Sequence, residues 1–319
     1  MKDILLSVIC PTYGHEQYIR QALDSILMQK FDFPMEVLIG EDCSPDNSRV
    51  ILKEYERKYP GFFTVFYREH NLGGAKNSAD LRNRAKGKYL AFLELDDYWT
   101  DYRKLQKQVN YLETHDDVVA VSGKTKVVDK NGQPMNMEYK YECLREYYTW
   151  DEYFNFRLPG QTASIVCRNI FKDDGLAFEV SNDYSLIPGD RKFPFLYLCY
   201  GKVYCFQETM SAYRYVYDGG YSYSANYRYS EIEFYIDRVA LYRGLLDYAY
   251  KYCSKKNIIN AEIMYSLFNY GLYRAKSADG DRKSLSHYLA FDLDVKHKNF
   301  VRMYFLREKF HQLTKLRNE

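Results

Sequence analysis

The sequence predicts an α/β fold, with a mostly parallel central sheet flanked by helices and a helical C-terminal extension. Three observations support this prediction. Strand and helix patterns alternate over the first 122 residues, which is typical of a mostly parallel sheet with helices on its faces. The pattern from Ser230 onwards is helical. Polar loops follow the first, second and fourth predicted strands, where ligands of such sheets bind.

The elements of the first 122 residues follow from apolar runs and from the residues that end them. Short apolar runs predict strands at residues 5–10, 36–40, 62–67, 88–93 and 118–122. Apolar residues at helical spacing predict helices at residues 16–29, 46–59, 75–86 and 102–115. Pro11 ends the first strand, Asp46 is the predicted N-cap of the second helix, and Pro60 and Gly87 stop the helices before them.

The rest of the chain changes character near residue 225. Residues 123–225 combine strand and loop patterns, and helices are predicted at 231–250, 258–276 and 299–316. The chain holds 35 tyrosines, and 24 of them lie between Tyr139 and Tyr273. Because tyrosine joins an apolar ring to a polar hydroxyl, this enrichment suits sugar-stacking surfaces, interfaces and partly hydrated cores alike.

Composition excludes several classes of protein. The 45 basic and 43 acidic residues give a net charge of +2, which provides no argument for a nucleic-acid partner. No stretch is as long and apolar as a transmembrane helix. The seven scattered cysteines never stand at CxxC spacing, which argues against a disulfide framework and a zinc site. Reduced thiols in a cytoplasmic protein are the interpretation that this pattern favours.

The most informative segment follows the fourth predicted strand. Glu94, Asp96 and Asp97 place three carboxylates within four residues, and these repel one another unless a cation or a base neutralises them. A hard divalent ion that shares its shell with substrate phosphates is the partner that such oxygen ligands favour. The segment therefore predicts a metal–diphosphate site. The alternative is a solvated turn that caps the next helix.

Two further polar loops converge on the same predicted edge of the sheet. Pro11, Thr12 and Tyr13 follow the first strand, and Glu41 and Asp42 follow the second. The carboxyl ends of parallel strands meet at one edge, so we expect these loops to lie beside the acidic segment. The alternatives are that the two acids only cap the next helix and that the residues after the first strand are ordinary turn residues.

Together these motifs resemble those of family 2 glycosyltransferases, which have the Rossmann-like GT-A fold of nucleotide-diphospho-sugar transferases. The matching segments are residues 7–13, 41–46, 71–73, 87–101 and 104–108. Three positions depart from the family pattern: Gly14 replaces the usual Asn, Glu94 the usual Asp, and Leu95 a small residue. The resemblance implies a catalytic domain over residues 1–225, with a nucleotide-binding half (1–122) and an acceptor half (123–225), and a helical region over 226–319.

The resemblance also implies the activity and its cofactor. We expect a metal-dependent, inverting transfer of a sugar from a nucleotide-diphospho-sugar, a UDP-sugar, to a glycan or lipid-linked acceptor in cell-surface polysaccharide synthesis. The implied nucleotide contacts are Pro11, Thr12, Tyr13, Glu41, Asp42, Arg68, Asn71, Glu94 and Asp96. Asp96 and Asp97 would hold Mn²⁺ or Mg²⁺, which neutralises charge on the departing diphosphate. For Arg68, a surface charge is the alternative.

A fainter resemblance covers the acceptor half, at residues 189–190, 198–203, 213–214 and 219–220. It implies that Asp190 is the general base for the acceptor hydroxyl, with a turn aspartate as the alternative and Asp183 as a rival. For Arg214 the interpretations are a phosphate contact, the ordering of the following loop, or a structural salt bridge. Gln161 and Thr162 resemble the segment that precedes the acceptor site.

Residues 296–319 carry seven basic and two acidic residues, with apolar residues at helical spacing. One interpretation is a basic amphipathic helix on an anionic membrane, which would place a cytoplasmic enzyme at the inner face of the membrane. The other is a helix packed on the catalytic domain.

Two other functions compete with sugar transfer. A nucleotidyltransferase would need a Gly-rich, Lys/Arg-bearing loop after the first strand, which residues 11–15 do not provide. A nucleotide-sugar-binding module without transfer activity would keep the acidic segment and lack a working base.

Overall fold

The structure is a computed structural model that describes residues 3–139, 142–172, 189–216 and 230–276. The chain divides into two compact units, residues 1–227 and residues 228–319. Among the described helices, none is both long enough and apolar enough to cross a membrane. The predicted helix at 299–316, the basic segment 296–319, the loop at 219–220 and the rival base Asp183 all lie outside the described residues.

The first unit is built on a sheet that has ten strands in the described residues. These are β1 (Leu6–Thr12), β2 (Met35–Glu41), β3 (Phe63–Tyr67), β4 (Tyr89–Phe92), β5 (Tyr98–Trp99), β6 (Val118–Val128), β7 (Pro134–Glu138), β8 (Tyr147–Tyr148), β9 (Val166–Arg168) and β10 (Lys202–Arg214). The helices of this unit are α1 (Ile19–Leu27), α2 (Ser48–Lys58), α3 (Gly74–Arg84), α4 (Lys104–Thr114), α5 (Trp150–Phe154) and α6 (Gly189–Tyr200). A short 3₁₀ turn covers Thr162–Ser164.

The strand order is β3-β2-β1-β4-β9-β6-β10-β5, with β7 paired to β6 and β8 to β10. Strands β3, β2, β1 and β4 pair in parallel, so the loops after β1, β2 and β4 open on one edge, as the sequence predicts. Beyond β4 the sheet is mixed, because β9 runs antiparallel to both β4 and β6 while β10 runs parallel to β6. The predicted α/β class, a central sheet flanked by helices, is confirmed.

The core that supports this edge lies between the parallel strands and the helices α1, α2 and α4. Val8 on β1 and Leu23 and Ile26 on α1 are fully buried. Each such side chain contributes about 1.5–3 kcal/mol relative to full exposure. This packing gives the loops at the carboxyl edge a rigid base.

Two helices of the first unit, α5 and α6, are missing from the sequence prediction. Helix α6 contains Pro194 and a continuous apolar run, Phe195 to Leu198, which shows neither the helical nor the strand period. Its residues Phe195, Leu196 and Tyr197 are fully buried, which is why the run has no polar face. The helix matters because its first turn carries Asp190.

The second unit contains the helices α7 (Glu231–Tyr252) and α8 (Lys255–Lys276). Ser230 and Glu233 form a capping box at the start of α7, in which each side chain bonds the other residue's backbone N–H. Tyr242 and Phe268 stack between the two helices, with ring centroids 4.8 Å apart. The predicted helices at 231–250 and 258–276 are therefore present.

Candidate active site

The loops that follow β1 and β2 are bonded to one another. The backbone N–H of Gly14 donates to Ser44 Oγ (3.0 Å), and that of His15 donates to Ser48 Oγ (3.0 Å). Gly14 has a φ of +72°, in the left-handed region that glycine adopts freely and asparagine tolerates. This conformation explains why glycine can stand where the family pattern has asparagine. The segment that carries Thr12 and Tyr13 is thus held in place by the residues that follow β2.

Glu41 lies inside this pair of loops and has no exposed surface. Its Oε1 accepts from the backbone N–H of Ser44 (2.6 Å), and its Oε2 accepts from Arg49 Nε (2.7 Å) and pairs with Arg49 Nη2 (2.5 Å). Arg49 also donates to the carbonyl of Arg68 (2.7 Å). Protein donors contact both carboxylate oxygens, so Glu41 forms an ion pair that holds the two loops together. Its predicted contact with a nucleotide stays a prediction.

Arg49→Met is expected to lower the free energy of unfolding by about 3 kcal/mol, because it leaves the buried charge of Glu41 without its partner. Urea denaturation of the full chain measures the loss. The matched control is Arg20→Met, which breaks an exposed Arg–Glu pair with Glu54 and should change stability far less. Equal effects of the two variants would contradict a stabilising role for the buried pair.

Asp42 is buried and holds the turn before α3. Its Oδ1 accepts from the backbone N–H of Leu72 (2.8 Å) and its Oδ2 from that of Gly73 (3.0 Å). Asn71 Oδ1 accepts from the same Gly73 N–H (2.8 Å). The structure thus brings the predicted residues Asp42 and Asn71 into one turn. A carboxylate has about four lone-pair sites, so Asp42 keeps capacity for a further donor.

Arg68 is directed towards α3. Its guanidinium pairs with Asp80 (2.6 Å) and donates to Asn77 Oδ1 (3.2 Å). Asn77 in turn donates to the carbonyl of Gly40 at the end of β2 (2.8 Å). Arg68 therefore supports the edge of the sheet through α3, and a contact with a nucleotide would require it to leave this ion pair.

The acidic segment after β4 forms a compact cluster. Glu94, Asp96 and Asp97 each offer a carboxylate oxygen, and these atoms lie within 4.8 Å of one another. Asp97 is buried, and its oxygens accept from Gln161 Nε2 (2.7 Å) and from the backbone N–H of Arg214 (2.7 Å). Glu94 is exposed and Asp96 is half-buried, so these two present the cluster to a ligand.

The electrostatics of the cluster favour a cation. Desolvation, followed by the charges of Asp96 and Asp190, raises the pKa of Glu94 to about 8, although the side chain keeps an exposed face. Burial and then the charge of Asp96 raise the pKa of Asp97 well above its usual value. A divalent cation offsets this repulsion, and an all-oxygen donor set is the one that Mn²⁺ and Mg²⁺ take. The residues therefore fit a hard divalent ion.

The 3₁₀ turn Thr162–Ser164 and the residue before it join this cluster to Asp190. Gln161 donates to Asp97, and Thr162 Oγ1 donates to Asp190 Oδ1 (3.1 Å). The charge of Asp190 is also among the causes that raise the pKa of Glu94. The structure thus brings Asp190 to the acidic cluster, together with the weakly indicated pair Gln161 and Thr162.

A group of buried residues holds that turn from the other side. Trp99 Nε1 donates to the carbonyl of Ala163 (2.8 Å), and Gln108 Nε2 donates to that of Ser164 (2.8 Å). Lys104 Nζ donates to Gln108 Oε1 (2.8 Å) and lies over the Trp99 ring, and burial lowers the pKa of Lys104 to about 7. The sequence showed Lys104 and Gln108 only as part of a family pattern, without a role.

Arg214 connects the acidic segment to the rest of the site. It is buried, and its Nε donates to the carbonyl of Asp96 (2.9 Å). Its Nη1 donates to the carbonyls of Asp129 and Lys130 (both 3.2 Å), and its Nη2 donates to Gln21 Oε1 (2.6 Å). Since protein oxygens engage all three guanidinium nitrogens, the structure favours an ordering role for Arg214, and it orders the acidic segment itself.

Two residues of the tyrosine-rich region lie at the Asp190 side of the site. The rings of Tyr139 and Tyr213 pack edge to face, with centroids 5.6 Å apart, and both side chains are partly exposed. Burial, followed by the charge of Asp190, raises the pKa of Tyr139 well above its usual value. Aromatic faces therefore accompany the carboxylates at this position.

The acidic loops lie at the carboxyl edge of parallel strands, and a further carboxylate, Asp190 on α6, is linked to them through Thr162 and Gln161. This is the arrangement of an α/β protein of the GT-A class. The model of the family "Glycosyl transferase family 2" matches residues 7–175, which is more than half of the chain. The chain belongs to glycosyl transferase family 2, and the resemblance seen in the sequence is confirmed.

Curated proteins also match the chain. The uncharacterized protein Rv1520 of Mycobacterium tuberculosis is 31% identical over 214 residues, which cover 66% of this chain and 58% of that protein. The putative teichuronic acid biosynthesis glycosyltransferase TuaG of Bacillus subtilis is 34% identical over 148 residues, covering 46% of this chain and 56% of the relative. The chain thus spans little more than half the length of these relatives.

Solved structures show the same fold at low sequence identity. TarS of S. aureus, residues 1–349 in complex with UDP-GlcNAc, superposes with a TM-score of 0.60 at 17% identity, covering 96% of this chain and 92% of that one. The mannosyltransferase PcManGT of Pyrobaculum calidifontis, in complex with GDP-Man and Mn²⁺, gives a TM-score of 0.52 at 15% identity and covers 93% of this chain and 83% of that one.

Proposed function

We propose that the protein is a metal-dependent, inverting glycosyltransferase. It moves a sugar from a nucleotide-diphospho-sugar, a UDP-sugar, to a hydroxyl of a glycan or lipid-linked acceptor in cell-surface polysaccharide synthesis. The observation that supports this proposal is the link from Asp97 through Gln161 and Thr162 to Asp190, a separate carboxylate beside the acidic cluster. A nucleotide-binding site alone has no need of that second carboxylate.

The donor is assigned to the carboxyl edge of the parallel strands. Pro11, Thr12 and Tyr13 line the pocket of the base and ribose, with Asp42 and Asn71 beside them; Glu41 and Arg68 hold the loops. Glu94 and Asp96 would contact the ribose and the diphosphate, and Asp96 and Asp97 would hold the divalent ion. When bound, Mn²⁺ or Mg²⁺ supplies Lewis-acid stabilisation of the leaving diphosphate.

Asp190 is assigned as the general base. It takes the proton of the acceptor hydroxyl while that oxygen forms a bond to the anomeric carbon of the donor sugar. The bond from the anomeric carbon to the diphosphate breaks on the opposite side, and the electron pair leaves with the nucleoside diphosphate. Attack opposite the leaving group inverts the configuration. The partly exposed rings of Tyr139 and Tyr213 are suitably placed for the acceptor sugar.

The relatives guide the choice of donor and pathway. TuaG is named for teichuronic acid biosynthesis, and TarS was crystallised with UDP-GlcNAc, which supports a UDP-sugar and a cell-wall glycan. PcManGT was crystallised with GDP-Man and Mn²⁺, which supports the metal and makes a GDP-sugar the second candidate donor. Three further points stay predictions. They are the division into a nucleotide part (1–122), an acceptor part (123–225) and a helical part (226–319), the cytoplasmic location, and the membrane contact.

Calorimetric titration of the full chain tests the donor and the metal together. UDP is expected to bind in Mn²⁺ and to lose its binding when EDTA is added, because the acidic cluster would otherwise repel the diphosphate. GDP and CDP are the matched competitors. A panel of UDP-sugars, with release of UDP as the measured signal, then identifies the sugar. Binding of UDP that EDTA leaves unchanged would contradict the metal role, and a preference for GDP would change the donor.

A further inference from the structure

We infer that His15 is a positioning residue that fixes the Asp96 carboxylate for the divalent ion, an inference that rests on the proposed function. His15 Nε2 lies 3.8 Å from Asp96 Oδ2, across the gap between the loop after β1 and the acidic segment. The other ring nitrogen, Nδ1, lies 3.1 Å from the hydroxyl of Thr12. This contact could not be predicted from the sequence, because a histidine in a loop does not indicate which distant residue it will contact.

The two ring contacts fit an imidazole that carries a proton on Nε2. We assign the proton to Nε2, since the Thr12 hydroxyl can donate to Nδ1. The opposite tautomer would direct a lone pair at the carboxylate of Asp96. His15 therefore presents an N–H to Asp96, and a movement of about 1 Å would bring the pair to hydrogen-bonding distance.

The imidazole is held so that it can direct Asp96. His15 is nearly buried, and its backbone N–H donates to Ser48 Oγ (3.0 Å) at the start of α2. Its backbone is thus anchored to the start of α2 and its ring to Thr12 of the proposed nucleotide pocket. Partners that hydrogen-bond a ligating carboxylate orient it, and their loss typically costs 10–100-fold in metal affinity. His15 joins the nucleotide pocket to the metal cluster in this way.

The test measures Mn²⁺ binding to the full chain in saturating UDP. The electron paramagnetic resonance signal of free Mn²⁺ reports how much of the ion is bound. His15→Asn keeps a polar group near Nδ1 but cannot reach Asp96, and it is expected to weaken Mn²⁺ binding about 10-fold. His15→Gln places an amide N–H near the Nε2 position, so it should retain most of the affinity. His115→Asn, at a histidine after α4, is the matched control and should bind as the wild type does.

Kinetics provide a second measurement. With His15→Asn, half-maximal release of UDP should need about 10-fold more Mn²⁺, while the rate at saturating Mn²⁺ stays close to that of the wild type. A purely structural role would lower the saturated rate and the melting temperature instead.

The outcomes separate this inference from the proposed function. Asp96→Asn should abolish Mn²⁺ binding, and if it does not, the proposed metal site is wrong. If Asp96→Asn abolishes binding while His15→Asn matches the wild type, only the role of His15 is overturned. Equal losses in His15→Asn and His15→Gln would also overturn it, because the N–H towards Asp96 would then be irrelevant.

Discussion

Asp190→Asn is expected to leave UDP and Mn²⁺ binding intact and to lower the rate of sugar transfer at least ~10²-fold, the low end for a lost general base. The amide has nearly the shape of the carboxylate, and its oxygen can still accept from the hydroxyl of Thr162. It cannot take a proton from the acceptor. Binding and chemistry should therefore separate in this one variant, with calorimetry reporting the first and UDP release the second.

The matched control for Asp190 is Asp151→Asn. Asp151 also lies in the first turn of a helix, α5, but it is exposed. It should transfer sugar at the wild-type rate, which rules out a general effect of removing a negative charge from a helix N-terminus. A small effect of Asp190→Asn would move the base to another residue. A loss of UDP binding in the same variant would instead assign Asp190 to the donor site.

The rate of sugar transfer by Thr162→Val should lie between the rates of Asp190→Asn and Asp151→Asn. The substitution removes the hydroxyl that donates to Asp190 without removing the base itself. Its effect therefore measures how much the orientation of the carboxylate contributes, and an effect as large as that of Asp190→Asn would indicate that the turn itself is disturbed.

The parallel half of the sheet could be predicted because short stretches of sequence are enough to specify its strands and helices. Each strand from β1 to β4 is a short apolar run, each helix between them has helical spacing, and parallel pairing then fixes which loops share an edge. The position of β9 could not be predicted this way. Residues 166–168 insert between β4 and β6, and nothing within three residues specifies which strands they will pair with.

The candidate site shows the same division between local and distant information. Glu41 and Asp42 are adjacent acids, yet their contacts differ. Glu41 forms a buried ion pair with Arg49, whereas Asp42 accepts hydrogen bonds from the turn before α3. The acidic segment was visible as a run of carboxylates. Its partners were not, because Gln161 and Arg214 lie 64 and 117 residues from Asp97 along the chain. Such pairs depend on the whole fold.

Replacing Arg214 is expected to lower both stability and UDP binding, because Arg214 makes several of these distant contacts. Arg214→Lys keeps the positive charge, but a single ammonium cannot reach the carbonyls of Asp96, Asp129 and Lys130 and the amide of Gln21 together. At least two hydrogen bonds from the charged guanidinium to partly buried acceptors are lost, at about 1.5–3 kcal/mol each. We expect a loss of about 3 kcal/mol in the free energy of unfolding, measured by urea denaturation, and a marked loss of Mn²⁺-dependent UDP binding.

The decisive comparison for Arg214 is Arg168→Lys. Arg168 also binds backbone carbonyls, those of Leu112, His115 and Val118, but it does so from β9, and these partners belong to α4, its end and β6. Both variants should therefore lose stability, and only Arg214→Lys should lose UDP and Mn²⁺ as well. If the two variants bind the nucleotide equally, Arg214 stabilises the fold without positioning the cluster. In that case Gln161 and the backbone alone would hold Asp97 in place.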